Sequence, residues 1–147
     1  MKIGIASDHR GIYLKSSLIE YLEHGGYKVV NYGTDTNESV DFPRFAKKLG
    51  NGIKRNEIDY GIAICGTGIG MSIALNKMKG IYCAKINTIN EAVLCREHND
   101  ANVIAISADI DLGTVKSMID KFLVTSFSDN KKYLKRNNMI KDIEENG

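Results

Sequence analysis

The stretch Gly61-Ile62-Ala63-Ile64-Cys65-Gly66-Thr67-Gly68-Ile69-Gly70-Met71 runs from unbroken apolar residues, through three alternate glycines, into a second apolar segment. A short isoleucine-rich run of this kind suits a strand covered on both faces, as in a parallel sheet. The glycines then make a tight passage from strand to helix. Four further runs repeat the strand half of that unit: Ile3–Ala6, Tyr27–Tyr32, Ile81–Ile86 and Val103–Ile106. Helical spacing fills the intervals. Leu14, Leu18, Tyr21 and Leu22 share one face, and Gly25-Gly26 stops that helix. Phe45, Leu49 and Ile53 keep helical phase behind Pro43, which suits a first turn, while Gly50-Asn51-Gly52 leaves the far end open. Ile89, Ala92 and Val93 follow a cap at Asn87 or Thr88. Val115, Met118, Ile119, Phe122 and Leu123 form the clearest amphipathic stripe. A last helix is expected from about residue 129 to 145, with Tyr133, Ile140 and Ile143 as its apolar contacts.

Five β-α units in succession predict a three-layer, Rossmann-like α/β fold: a five-stranded parallel sheet with helices on both faces, plus a C-terminal helix. The expected strand order is 2-1-3-4-5. No linker, repeat or low-complexity tract divides residues 1–147, so one domain is expected. Ligands of such sheets bind at the carboxyl ends of the strands, at the switch point between the first and third. The residues falling there are Ser7-Asp8-His9-Arg10-Gly11 and Cys65-Gly66-Thr67-Gly68-Ile69-Gly70, both polar or glycine-rich.

Composition narrows the function classes. The chain has 147 residues, 43% apolar and 26% charged, with a net charge of +2. That is ordinary globular usage, and the near-zero charge points to neither nucleic acid nor a membrane surface as partner. No stretch approaches the roughly 18 apolar residues of a membrane span, and the N-terminus runs straight into a strand pattern without signal-peptide architecture. Three cysteines, Cys65, Cys83 and Cys95, are widely spaced with no Cys-x-x-Cys pair. A disulfide framework or zinc knuckle is not expected, and a reducing cytoplasm is the natural compartment.

The glycine loop excludes several familiar chemistries. A dinucleotide fingerprint needs glycine where Met71 stands and an acidic residue about 20 positions on, where Ile86-Asn87 is found. A P-loop would end in Gly-Lys-Ser/Thr, and a cysteine phosphatase loop would place arginine at Met71; neither occurs. A phosphorylatable aspartate at the third strand end is also absent. What remains is a thiol, Cys65, at the mouth of a loop whose N–H groups can gather around an anion. A helix N-terminus can bring a thiol pKa down from about 8.5 toward neutrality, making a base or a nucleophile. The competing reading is a small apolar Cys65 closing a buried strand. Cys83 and Cys95 have no such setting and read as core residues. His24, before Gly25-Gly26, reads as a helix-end residue.

Taken in order, four motifs resemble the type B ribose-5-phosphate isomerases over nearly the whole chain. They are Ser7-Asp8-His9-Arg10-Gly11; Asp41-Phe42-Pro43; Ile64-Cys65-Gly66-Thr67-Gly68-Ile69-Gly70-Met71-Ser72-Ile73-Ala74 with Asn76-Lys77; and Arg96-Glu97-His98-Asn99-Asp100-Ala101-Asn102-Val103. The family includes allose-6-phosphate and galactose-6-phosphate isomerases. The resemblance implies interconversion of ribose 5-phosphate and ribulose 5-phosphate through an enediolate, without metal or organic cofactor. It makes Cys65 the base that moves the proton between C1 and C2. Gly66, Gly68, Ile69 and Gly70 would hold the oxyanion through the backbone, with Thr67 assisting by its hydroxyl. Asp8, His9 and Asn99 match ligand-binding positions, and His98 matches the proton donor for opening the furanose ring. Lys132 and Arg136 fall where the family places two phosphate-binding arginines, and share a helical face at i, i+4. The resemblance also implies a homodimer, or a dimer of dimers, in which two subunits complete each active site.

Two positions depart from that pattern. Asn130-Lys131-Lys132-Tyr133 stands where Gly-Gly-Arg-His is usual, so a bidentate fork becomes the point charge of Lys132. In Ile106-Ser107-Ala108-Asp109, a carboxylate falls where relatives carry a phosphate-contacting arginine. These departures keep two alternatives open: an isomerase for a six-carbon sugar phosphate, or a sugar-phosphate-binding relative with weak activity.

Overall fold

The computed structural model describes residues 1–147. Its five strands are β1 (Lys2–Ser7), β2 (Lys28–Asn31), β3 (Tyr60–Cys65), β4 (Cys83–Lys85) and β5 (Val103–Ser107), all paired in parallel. Six helices connect and follow them: α1 (Ile12–His24), α2 (Phe42–Lys54), α3 (Ile69–Asn76), α4 (Ile89–Asn99), α5 (Leu112–Val124) and α6 (Lys131–Asn146). A 3₁₀ turn, His9–Gly11, leads into α1. Strand alternation sorts the core by size. Ile3, Ile5, Ile62, Ile64, Ile104 and Ile106 pack with residues of α1, α4 and α5. Ala6, Ala63, Cys65, Val103 and Ala105 pack on the other face with residues of α2 and α3. Each fully buried isoleucine contributes about 1.5–3 kcal/mol, so the larger cluster is the main source of cohesion. No helix is long and apolar enough to cross a membrane.

The α/β architecture matches expectation, but the strand order is 2-1-3-5-4, not 2-1-3-4-5. Burial gives the reason. Val103, Ile104, Ala105 and Ile106 are fully buried, so β5 takes the interior slot between β3 and β4. The three residues of β4 are only partly buried and include Lys85, which suits an edge. The reversal between β1 and β3 is unaffected, so the expected switch point is kept. The exchange changes its wall: the segment after β5, rather than the one after β4, now borders the glycine loop.

Candidate active site

Strand register brings the pieces of the crevice level. Ser7 pairs with Ile64 and Cys65 pairs with Ser107, so β1, β3 and β5 end side by side. Asp8 follows directly; its N–H donates to the Ile64 carbonyl at 3.1 Å, and its Oδ1 accepts the Arg10 N–H at 2.9 Å. That second bond starts the 3₁₀ turn carrying His9. Val40 donates its N–H to His9 Nδ1 at 3.2 Å, so the neutral imidazole carries its proton on Nε2. The segment holding Val40 is itself tied down. Thr34 N–H donates to the Ser7 carbonyl at 2.8 Å, and buried Lys15 donates from Nζ to Asn31 Oδ1 and Asp35 Oδ1.

Cys65 closes β3 on the small-residue face and is 4% exposed. Its Sγ accepts the Gly68 N–H at 3.1 Å. With 4% of its surface exposed and its sulfur under the Gly68 N–H, the thiol lies beneath the loop. Gly68 has φ of 81°, and a Cβ there would sit 3.0 Å from the Ile106 backbone. At Gly70 a Cβ would lie 2.6 Å from the Phe42 ring. Both glycines are therefore dictated by conformation or by space. Thr67 Oγ1 accepts the Ile69 N–H at 3.1 Å, leaving the hydroxyl proton free to donate. The N–H groups of Gly66, Thr67, Gly70 and Met71 find no acceptor within the chain, and they open α3 at its positive end.

In the segment after β5 the family pattern points only to Asp109, and the structure adds Ser107 and Ala108. Ser107 Oγ donates to the Gly66 carbonyl at 2.7 Å and accepts the Asp109 N–H at 3.1 Å, while Ala108 N–H donates to the Cys65 carbonyl at 2.9 Å. Arg10 reaches over the loop from the opposite wall, with Nη2 3.7 Å from Asp109 Oδ1. The uninterrupted Val103–Ile106 run was the signal that could have placed Ser107 here.

His98, Asn99, Lys132 and Arg136 are not in this crevice. Gly61, at the start of β3, donates its N–H to the Asn102 carbonyl, so the end of α4 lies at the opposite edge of the sheet. From Gly61 to Cys65 the strand rises about 13 Å. There the His98 ring stacks on Tyr133, with centroids 4.4 Å apart and planes at 14°. Asn137 Nδ2 donates to the His98 carbonyl at 2.8 Å and to the Tyr133 carbonyl at 2.9 Å, joining α6 to α4. Buried Arg96 fixes the same corner through the Thr125 and Ala101 carbonyls and Asp100. Lys132 and Arg136 are exposed and form no ion pair. Cys83, Cys95 and Asn99 line a hollow of about 200 Å³ near Asn137. Desolvation pushes the Cys83 thiol up to about 12 and the Cys95 thiol up to about 11, so both stay protonated near neutrality.

Comparison with known proteins gives first a class: the chain belongs to the ribose/galactose isomerase family, whose profile matches residues 3–140. Individual relatives are more specific. The structure of ribose-5-phosphate isomerase B from Clostridium thermocellum superposes with a TM-score of 0.95 at 42% identity, covering 99% of this chain and 98% of that one. Ribose-5-phosphate isomerase B of Escherichia coli is 38% identical over 123 residues, 83% of each chain. The Mycoplasma genitalium enzyme, in a structure with bound ribulose 5-phosphate, has a TM-score of 0.94 at 34% identity and covers 99% and 97%.

Proposed function

We propose that the chain is an aldose–ketose isomerase interconverting ribose 5-phosphate and ribulose 5-phosphate. The observation that carries this reading is the hydrogen bond from Gly68 N–H to Cys65 Sγ, beneath four loop amides that lack an acceptor. In the open-chain aldose, the Cys65 thiolate takes the C2 proton while the electron pair moves toward the carbonyl oxygen. The loop amides and the Thr67 hydroxyl donate to that oxygen; the C2 hydroxyl proton passes to O1, and the proton held by Cys65 returns to C1 as the C2–O bond becomes the carbonyl of the ketose. One such donor is typically worth about 3–4 kcal/mol in the transition state, so the loop contributes on the scale of the base itself. Asp8 and His9 bind the sugar from the adjoining wall. A thiol this sheltered exchanges water for fixed dipoles, which suits abstraction of a weakly acidic carbon proton.

The distance between the two groups of residues supports a site shared by two subunits. His98, for ring opening, and Asn99, Lys132 and Arg136, for ligand binding, come in this reading from a second copy. Its α6 carries exposed Leu134, Met139, Ile140 and Ile143, an apolar stripe that a partner would cover. We read the assembly as a homodimer, or a dimer of such dimers, and three free cysteines suit a reducing cytoplasm. A hexose 6-phosphate is favoured as second substrate by Asp109 and Lys132, which alter the cations around the phosphate. A coupled assay on ribose 5-phosphate, allose 6-phosphate and galactose 6-phosphate, with Cys65→Ala as control, tests the whole reading. Turnover on the pentose that vanishes in the variant is expected; activity on none of the three would leave a sugar-phosphate-binding protein.

A further inference from the structure

Arg10 has a chemistry that its neighbours do not use. Its side chain is 57% exposed and makes no hydrogen bond within the chain. The guanidinium lies across the glycine loop: a Cβ on Gly66 would stand 3.6 Å from Nη1 and 3.8 Å from Cζ. Its acidic neighbour, Asp109, is 3.7 Å away and 76% exposed, a loose pair in water. Five N–H donors in a rigid fork therefore hang beside Gly66 on the outer side of the loop. The backbone beneath is not free to drift, because the Arg10 N–H is held by nine-tenths-buried Asp8. A planar fork of this kind matches a phosphate through paired hydrogen bonds.

We propose that Arg10 receives the substrate's phosphate on the outer side of the glycine loop, beside Asp109 and clear of the amides that take the C1–C2 oxygens, and that Asp109 is the internal anion it exchanges for that phosphate. The proposal rests on the sugar-phosphate reading and adds to it a cation from the loop-bearing subunit itself. Asp109 alone would repel a dianion. Held beside Arg10, it parks the guanidinium over the loop and gives it up when a stronger, bidentate acceptor arrives. Removing either partner should then act in opposite directions.

The test uses the full-length protein, with thermal melts to confirm folding of each variant. With ribose 5-phosphate, Arg10→Gln is expected to raise KM about tenfold, more than it lowers kcat, and to flatten the dependence of KM on salt. Arg10→Lys should fall between, and Asp109→Asn should lower KM a few-fold. The inhibition constant for inorganic phosphate should move with KM in each variant. Unchanged KM and phosphate inhibition in Arg10→Gln would overturn the proposal, as would losses of the same sign in Arg10→Gln and Asp109→Asn. Should Arg10→Gln not fold, Arg10→Lys and Asp109→Asn still decide it by the same opposition. If the wild type turns over none of the sugar phosphates, the isomerase reading fails, and calorimetric titration with inorganic phosphate judges Arg10 separately. Weaker binding in Arg10→Gln would then uphold the anion contact; equal binding, or none in the wild type, would sink it.

Discussion

The two ends of the sheet are built by different physics. At the carboxyl edge, donors are mostly backbone N–H groups on a loop pinned by Gly68, Gly70 and Ser107, around a thiol that is 4% exposed. At the amino edge, α4 and α6 present an imidazole stacked on Tyr133 and long, exposed cations with no ion pair, Lys132 lying 5.0 Å over the same Tyr133 ring. Preorganised dipoles in a sheltered place act strongly on a developing charge, because they need not reorganise as it forms. Exposed lysines and arginines act mainly by attraction, and they lose it to salt. In the reading proposed above, one edge of the sheet serves the chemistry and the other the capture of substrate, with a second subunit bringing the two together.

The sharpest way to break that comparison is to disable each end in a different copy. Cys65→Ala should lower turnover by about 10²–10⁴-fold, and His98→Ala should hurt the cyclic aldose far more than the open-chain ketose. Mixing the two inactive proteins under subunit exchange should restore roughly a quarter of wild-type activity, because half the dimers carry one intact site. No recovery after verified exchange would place both groups in separate functions. Next in size, Gly68→Ala should cost at least about 1–2 kcal/mol in thermal unfolding and most of the turnover, since alanine is strained at that φ. Gly66→Ala, where a Cβ meets only the Arg10 side chain at ordinary contact distance, should unfold within about 0.5 kcal/mol of wild type.

Smaller effects sharpen the contrast. Lys132→Ala should raise KM about three- to tenfold, and the difference from wild type should shrink at high salt. An unchanged KM would make that lysine a bystander. Alkylation should separate the thiols: Cys83 and Cys95, with pKa pushed to about 12 and about 11 by burial, should resist iodoacetamide at pH 7.5 in the native protein. Saturating ribose 5-phosphate should slow whatever reaction Cys65 shows. Asp35 tests the support of the crevice wall. Hydrogen bonds from Lys15, then Asn31, hold its carboxyl below the usual carboxylate range. A depressed folded pKa means this stabilisation is present above the ordinary value of about 4 and is lost as pH falls through the folded one. Asp35→Asn should therefore lower Tm at pH 7, and its Tm should fall less than that of wild type on going to pH 3.

Much of the fold was legible because its signals are local. Isoleucine-rich runs, Pro43, Gly25-Gly26 and the Val115–Leu123 stripe each report on neighbouring residues, and the elements lie where they indicate. The switch point between β1 and β3 was legible for the same reason, since both segments that follow these strands carry polar or glycine-rich residues. The order of the last two strands was not read, although Val103–Ile106 is unbroken and Lys85 interrupts its run. Sequential pairing was the default, and burial of β5 overrode it. Arg96, Asn76 and Asn102, embedded in the motifs, are structural: Asn76 exchanges two hydrogen bonds with the Cys83 backbone, and Asn102 bonds Tyr82 and Gly80.

Local sequence was enough for the parallel α/β class, the thiol at a strand end and the glycines that follow it, because periodicity and backbone permissiveness are properties of short segments. Tertiary structure alone decided which strand flanks β3, and so set Ser107 against Gly66 and Asp109 beside Arg10. It also decided that His98 stands a strand's length from Cys65. That separation follows from a helix returning antiparallel to its strands, a constraint felt only once the whole sheet is assembled.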